Sequence, residues 1–164
     1  MRILLRGRHL VAPFFVLAAL AMHAQSPASP IPTKTCPWLT EGTAARVLGG
    51  EVSVSFHLSD AGEGSCSFSQ KSTGGGSIKI EVSNSPLPSC GKEGAPLKGV
   101  GNEASRCRLP GSSDLGAEMV SGRVRSMHFT IVLYMSAKTG AGRSSDAQDD
   151  NLQKMAETVA GNLF

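Results

Sequence analysis

The sequence lacks the local motifs that identify common exported enzymes and metal proteins. It contains no Gly-x-Ser-x-Gly turn of the kind that carries a hydrolase nucleophile, and no Cys-x-x-Cys pair with a histidine nearby to complete a zinc site. The glycine run at 74–76 lacks the lysine and the following helix of a phosphate-binding loop. His57 and His128 are the two histidines beyond residue 24, and neither stands at a metal-ligating spacing. The sequence therefore predicts no catalytic residue, no cofactor and no metal.

The first 24 residues have the pattern of a secretory signal peptide. Basic residues precede an apolar stretch at 10–22, and Ala24 is a small residue suited to cleavage. The apolar stretch is shorter than the roughly 20 residues that span a membrane. We therefore expect a secreted or periplasmic protein, with retention of the segment as an uncleaved anchor as the alternative. Residues 25–35 are rich in proline and serine and predict an extended linker to a single domain at 36–164.

Loss of the signal segment changes the balance of charge. The whole chain has 16 basic and 13 acidic residues, and Arg2, Arg6 and Arg8 all lie in the signal. The remaining chain carries 13 residues of each sign and therefore no net charge. A basic surface for nucleic acid is not indicated. The roughly 140 residues that remain suffice for one domain with a hydrophobic core.

All four cysteines lie beyond the signal, at Cys36, Cys66, Cys90 and Cys107. An even number of cysteines in an exported protein predicts two disulfides, which are compatible with three pairings. The sequence alone does not choose among them, and we prefer Cys36 with Cys66 and Cys90 with Cys107. Closing loops of these lengths stabilises a chain by roughly 3 to 4 kcal/mol each on entropic estimates.

Alternating apolar and polar residues predict an antiparallel sheet with one apolar and one solvent-facing side. The longest such segment runs from Arg123 to Met135. Five further segments show the same alternation and lie at 51–57, 65–69, 77–83, 103–109 and from 115 onwards. Ser121 and Gly122 are expected to form the turn before the long strand. Arg123 shares the parity of the apolar positions, so we expect either a bulge near Arg125 or an overhanging start.

Two helices are expected to cover the apolar face. Thr40 can cap a short helix that ends at Gly49, because glycine accepts the left-handed conformation of a helix terminus. Ser145 and Gln148 stand in capping-box relation at the start of a longer helix. The expected contact joins two sets of apolar residues, Leu152, Met155, Val159 and Leu163 on this helix and Met127, Phe129, Ile131 and Leu133 on the long strand. The predicted fold is α+β, with about six strands packed on one face by these two helices.

Four arginines are the strongest candidates for a binding site. Arg106 and Arg108 lie on the expected fourth strand, and Arg123 and Arg125 begin the last one. If these strands come together, the side chains could bind a carboxylate, a phosphate or an acidic polymer. The interpretation that the sequence favours is ordinary protection of a strand edge by charge, and the binding patch is the competing hypothesis.

Two short segments resemble a known family. The opening Cys36-Pro-Trp-Leu-Thr-Glu and the segment Lys98-Gly-Val-Gly-Asn-Glu-Ala104 are similar to motifs of uncharacterised secreted or lipoprotein domains that open with Cys-x-Leu-Leu-Thr. The resemblance extends over 36–164 and implies a PsbP-like α+β fold with a non-catalytic role in the envelope. The chain departs from that family in lacking a lipidation cysteine. It also has a loop carrying Cys90 where a middle helix is expected.

Together these features predict an exported, monomeric, non-catalytic binding or accessory module of the bacterial cell envelope. Its expected partner is an envelope protein or an acidic polymer. The first alternative is a small-ligand carrier with a pocket between the sheet and the last helix. The second is a hydrolase with an unrecognised site.

Overall fold

A computed structural model describes residues 35–109, 116–135 and 145–164, with only the backbone described at 145–148. The predicted signal and almost all of the linker, the turn at 110–114 and the side chains of the predicted capping box lie outside the described residues. The elements in chain order are α1 (Glu41–Leu48), β1 (Val52–Leu58), β2 (Gly64–Gln70), β3 (Ser77–Ser83), a 3-10 turn (Gly91–Glu93), β4 (Ala95–Pro96), β5 (Glu103–Arg108), β6 (Ala117–Val124), β7 (Met127–Tyr134) and α2 (Ser145–Gly161).

The strands form one antiparallel sheet in the order β1-β2-β3-β7-β6-β5-β4. The predicted antiparallel α+β fold is confirmed, but the described sheet has seven strands instead of about six. The additional strand is β4, whose two residues pair with β5 at one edge. A strand this short has no alternation to detect in the sequence. Because β7 returns to pair with β3, the chain between β3 and β4 must cross the sheet.

One face of the sheet is the apolar face that the alternation predicts. Residues paired across antiparallel strands share a face, and Ile80, Ile131 and Val120 form one such fully buried row. The row belongs to a single hydrophobic core that also contains Leu152 and Met155 of α2. The final helix therefore covers the face on which the long strand places its largest apolar side chains. Leu163, the last residue of the predicted stripe, is only half-buried against this core.

Helix α1 forms as its capping residues predict. The Thr40 hydroxyl accepts a hydrogen bond from the Thr43 N–H at 3.2 Å, and Gly49 ends the helix with φ of 80°. Trp38 is buried beside this helix, and its carbonyl accepts a hydrogen bond from the Asn162 side chain at 3.0 Å. This contact ties the entrance of the domain to the residues that follow α2.

The turn between the last two strands differs from the prediction. It lies at Arg125 and Ser126, and Gly122 is part of β6, opposite Phe129. Arg125 adopts a left-handed φ of 55°, and its N–H donates to the Asn102 side chain, which supports this uncommon conformation. The predicted bulge or overhang is therefore replaced by a tight hairpin. Arg123 belongs to β6, before the turn, and the apolar residues with odd numbers that follow belong to β7. This explains why Arg123 shares their odd numbering without lying on their face of the sheet.

Candidate functional site

Both preferred disulfides, Cys36–Cys66 and Cys90–Cys107, are present, and no described cysteine is left free. The second bond attaches the chain between β3 and β4 (residues 84–94), which we call the crossing segment, to β5 on the sheet face opposite α2. The Cys90 N–H donates to the Ser121 hydroxyl at 3.2 Å. That hydroxyl lies 3.2 Å from the Ser105 hydroxyl. The crossing segment is thus held to the sheet by one covalent bond and a hydrogen-bonded pair of serines.

This attachment corrects the prediction that the second face is open to solvent. Thr130 and Ser121 are both polar residues of that face, and each is less than a tenth exposed. The exposed positions of the face are instead most frequent on β1, where Ser53, Ser55 and His57 are all exposed. Alternation identifies which residues share a face, but it contains no information about a distant loop that packs on it.

A cleft of about 250 Å³ lies between the crossing segment and this face. One wall is the loop just before Cys90, and the floor is formed by β5, β6 and β7. The lining residues are Leu87, Pro88, Ser89, Glu103, Ala104, Ser105, Ser121, Gly122, Arg123, His128 and Phe129. The cleft therefore combines apolar loop side chains, hydroxyl groups and ionisable groups within one small volume.

The ionisable groups of the cleft come from three neighbouring strands. Glu103 pairs with Arg123, and Arg123 pairs with His128, so the three side chains form one row across the sheet. The Arg123 Nε donates to the Glu103 carboxylate at 2.8 Å, and its Nη1 donates to the Arg125 carbonyl at 3.1 Å. We refer to Glu103, Arg123 and His128 as the charged row.

The neighbours of Glu103 in the charged row change the pKa of its carboxyl group. The hydrogen bond and the attraction from Arg123 lower the pKa of the Glu103 carboxyl below its ordinary value of 4.5, while desolvation opposes the shift. Electrostatic interaction with His128 lowers the pKa of this carboxyl further. The row therefore combines a carboxylate, a guanidinium and an imidazole within the cleft.

The structure places the other predicted arginines away from the cleft. Arg106 lies on the same sheet face as α2 and makes a bidentate ion pair with Asp149 of that helix, at 2.7 and 2.9 Å. Arg108 lies on the same face, and its Nε is 3.7 Å from Glu118. These two guanidinium groups therefore do not share a sheet face with Arg123.

Arg125 occupies a third position, in the hairpin turn. Its Nη1 donates to the Phe164 carbonyl at 3.2 Å, and its guanidinium carbon lies 5.4 Å from the centre of the Phe164 ring. The side chain thus joins the turn to the end of the chain. Of the four candidates, Arg123 is the one that lines the cleft.

Sequence reasoning did not identify Glu103, Ser105 and Ser121 as members of one site. The signal was present in part, because Glu103 and Ser105 have the same parity on one strand. The pairing of β5 with β6 and the position of Cys90 above both strands could not be obtained from local pattern. His57, the other histidine considered, is exposed on β1 near Lys79.

Two further findings concern the described residues. No described group of three or more His, Cys, Asp or Glu residues has the arrangement of a metal site. Within the same residues no helix is both long and apolar enough to cross a membrane. Comparisons with protein-family models, with curated proteins and with solved structures find no match to this chain.

Proposed function

We propose that this protein is an exported, non-catalytic binding module of the bacterial cell envelope that binds an acidic ligand in the cleft. The observation that carries the proposal is the charged row beneath a disulfide-attached loop. The two disulfides indicate an oxidising, extracytoplasmic environment. The predicted signal peptide and the opening motif at Cys36 support an envelope location.

Arg123 is the principal cation for such a ligand. The Arg123 side chain is 41% exposed, and its guanidinium is already oriented by Glu103 and by the Arg125 carbonyl. Orientation before binding lowers the entropic cost of binding. A ligand carboxylate would contact the remaining N–H groups of Arg123, and protonated His128 would add attraction from the neighbouring strand. Glu103 competes with the ligand for the same guanidinium.

The size of the cleft limits the ligand. Sites for drug-sized molecules occupy about 300–1,000 Å³, and this cleft is slightly smaller. It suits one sugar ring or one amino acid, either as a small molecule or as a single unit of a longer acidic polymer. The hydroxyl groups of Ser105 and Ser121, together with the apolar wall of Leu87 and Pro88, suit a sugar ring that bears one carboxylate.

Titration with galacturonate and with neutral galactose, followed by NMR chemical shifts, tests the proposal. The two sugars differ at C6, where one has a carboxylate and the other a hydroxymethyl group. We expect galacturonate to shift the resonances of cleft residues and to bind more weakly as salt is added, because the attraction is partly screened. Galactose at the same concentrations should bind at least about tenfold more weakly, which corresponds to one charge-assisted hydrogen bond.

Three variants assign the effect to the charged row. Arg123→Gln should lower galacturonate affinity by about tenfold, while Glu103→Gln should raise it because the competing carboxylate is removed. Arg108→Gln is the matched control, since it removes the same charge from the opposite face and should leave affinity unchanged. Equal binding of the two sugars, or equal effects of the Arg123 and Arg108 variants, would refute the proposed site.

A further inference from the structure

Strand β1 forms one edge of the sheet and lacks the features that usually protect an edge. Among the described strands it pairs only with β2. Its seven residues, Val52–Leu58, include no Lys, Arg, Asp, Glu or Pro. Phe56 and Leu58 are 37% and 38% exposed. The opposite edge is the two-residue β4, which ends in Pro96. Natural sheets normally protect their edges with short strands, charges or proline, so β4 follows this rule and β1 departs from it.

The backbone of β1 is oriented for further pairing. The Glu51 carbonyl accepts from the Lys71 N–H at 2.9 Å, and the Ser59 N–H donates to the Glu63 carbonyl at 2.8 Å. Both residues have odd numbers, and hydrogen-bonding direction alternates along an antiparallel strand. The N–H and C=O groups at the even positions of β1 therefore point away from β2, towards the open edge.

We propose that two copies of this chain associate through β1, in an antiparallel pair centred on Ser55. In this register Val54 lies opposite Phe56 of the second copy, and Val52 lies opposite Leu58. Both pairs join positions whose backbone groups point outwards, so the strands can form roughly eight hydrogen bonds. The exposed Phe56 and Leu58 side chains gain apolar neighbours, and no like charges meet because the strand contains no Lys, Arg, Asp or Glu.

The self-complementarity of β1 favours a second copy over an unrelated partner. A two-fold axis at Ser55 uses every residue of the strand, whereas centring on Val54 or Phe56 leaves one end of the strand without a partner. The contact involves a single strand from each copy, so its area should fall below the roughly 1,600 Å² of a standard stable interface. The dimer is therefore concentration-dependent, and it differs from the monomer expected from sequence. It joins the two sheets at the edge remote from the cleft, so ligand binding does not require it.

Sedimentation velocity of the purified protein over a series of concentrations tests for the dimer. We expect a reversible increase in mean sedimentation coefficient with concentration. Phe56→Pro should abolish this increase, because the lost N–H points outwards and the pairing with β2 is retained. Phe56→Ala keeps the N–H and should only weaken association. Tyr134→Ala removes another exposed aromatic side chain, 40% exposed on β7, and should have no effect.

A cysteine pair tests the register independently of the proline variant. Opposed residues at a non-hydrogen-bonded antiparallel position have Cα atoms about 4.5 Å apart, within the range that a disulfide spans. Ser55→Cys should therefore form a covalent dimer under mild oxidation. In the same register two copies of Ser53→Cys stand roughly 14 Å apart along the strands, so this variant should form no disulfide-linked dimer. A single monomeric species at every concentration, or equal crosslinking of both variants, overturns the proposal.

Discussion

Replacement of Phe129 by alanine is the most direct test of how the two faces of β7 are assigned. The ring is fully buried in the core beneath α2, and it packs against Gly122 on the neighbouring strand. A Cβ added at Gly122 would lie 2.6 Å from the Phe129 Cζ, which shows how closely the ring approaches that backbone. Truncation of the ring leaves a cavity in the core, and the structure around such a cavity typically relaxes only in part.

The expected loss follows from comparable large-to-small core substitutions. Phe→Ala changes in protein cores typically lower the free energy of unfolding by about 3 to 5 kcal/mol. For a domain of this size the same loss lowers the melting temperature by roughly 10 to 20 °C. In urea, with a slope of about 2 kcal/mol/M, the unfolding midpoint should fall by roughly 1.5 to 2.5 M while the slope stays constant.

His128→Ala provides the matched control. This residue precedes Phe129 on the same strand, is only half-buried, and lies on the opposite face beside the cleft. Its replacement should change the free energy of unfolding by less than about 1 kcal/mol. Urea denaturation followed by circular dichroism measures both variants under one set of conditions. Similar losses from the two substitutions would mean that the assignment of the faces is wrong.

Three further predictions concern the cleft and its supports. Replacing Cys90 and Cys107 together by serine should lower the free energy of unfolding by about 3 kcal/mol, which urea denaturation measures. The same double variant should bind galacturonate more weakly in the NMR titration. Because the pKa of Glu103 is lower in the folded protein than its ordinary value of 4.5, its ionised carboxylate stabilises the fold above pH 4.5. This stabilisation is lost as the pH falls through the lowered pKa. The difference in stability between wild type and Glu103→Gln should therefore vanish in acid. Thermal melts across that range provide the measurement, and a constant difference would contradict it. Gly122→Ala forces the Phe129 ring to move and should lower the free energy of unfolding by about 1 to 3 kcal/mol, measured in the same melts. An unchanged melting temperature would show that the ring can shift freely.

Local pattern in the sequence determined most of the elements and which residues of each strand share a face. The alternation at 77–83 and 127–134 is sufficient to predict strands with one apolar side, because successive side chains on a strand point in opposite directions. Thr40 and Gly49 likewise predict the bounds of α1, because capping depends on residues a few positions apart. The even number of cysteines predicts two disulfides, although the preferred pairing needed the structure for confirmation.

Only the tertiary structure decided which elements are neighbours, and the cleft depends on that. Glu103 and His128 are 25 positions apart and occupy one row because β5, β6 and β7 pair in a particular order and register. The hairpin turn at Arg125 is hydrogen-bonded by the side chain of Asn102, a residue distant in sequence. The same long-range packing separates Arg106, which pairs with α2, from Arg123, which lines the cleft. A period of two residues specifies the two faces of each strand, but strand order and loop placement depend on contacts between distant segments, which no local pattern contains.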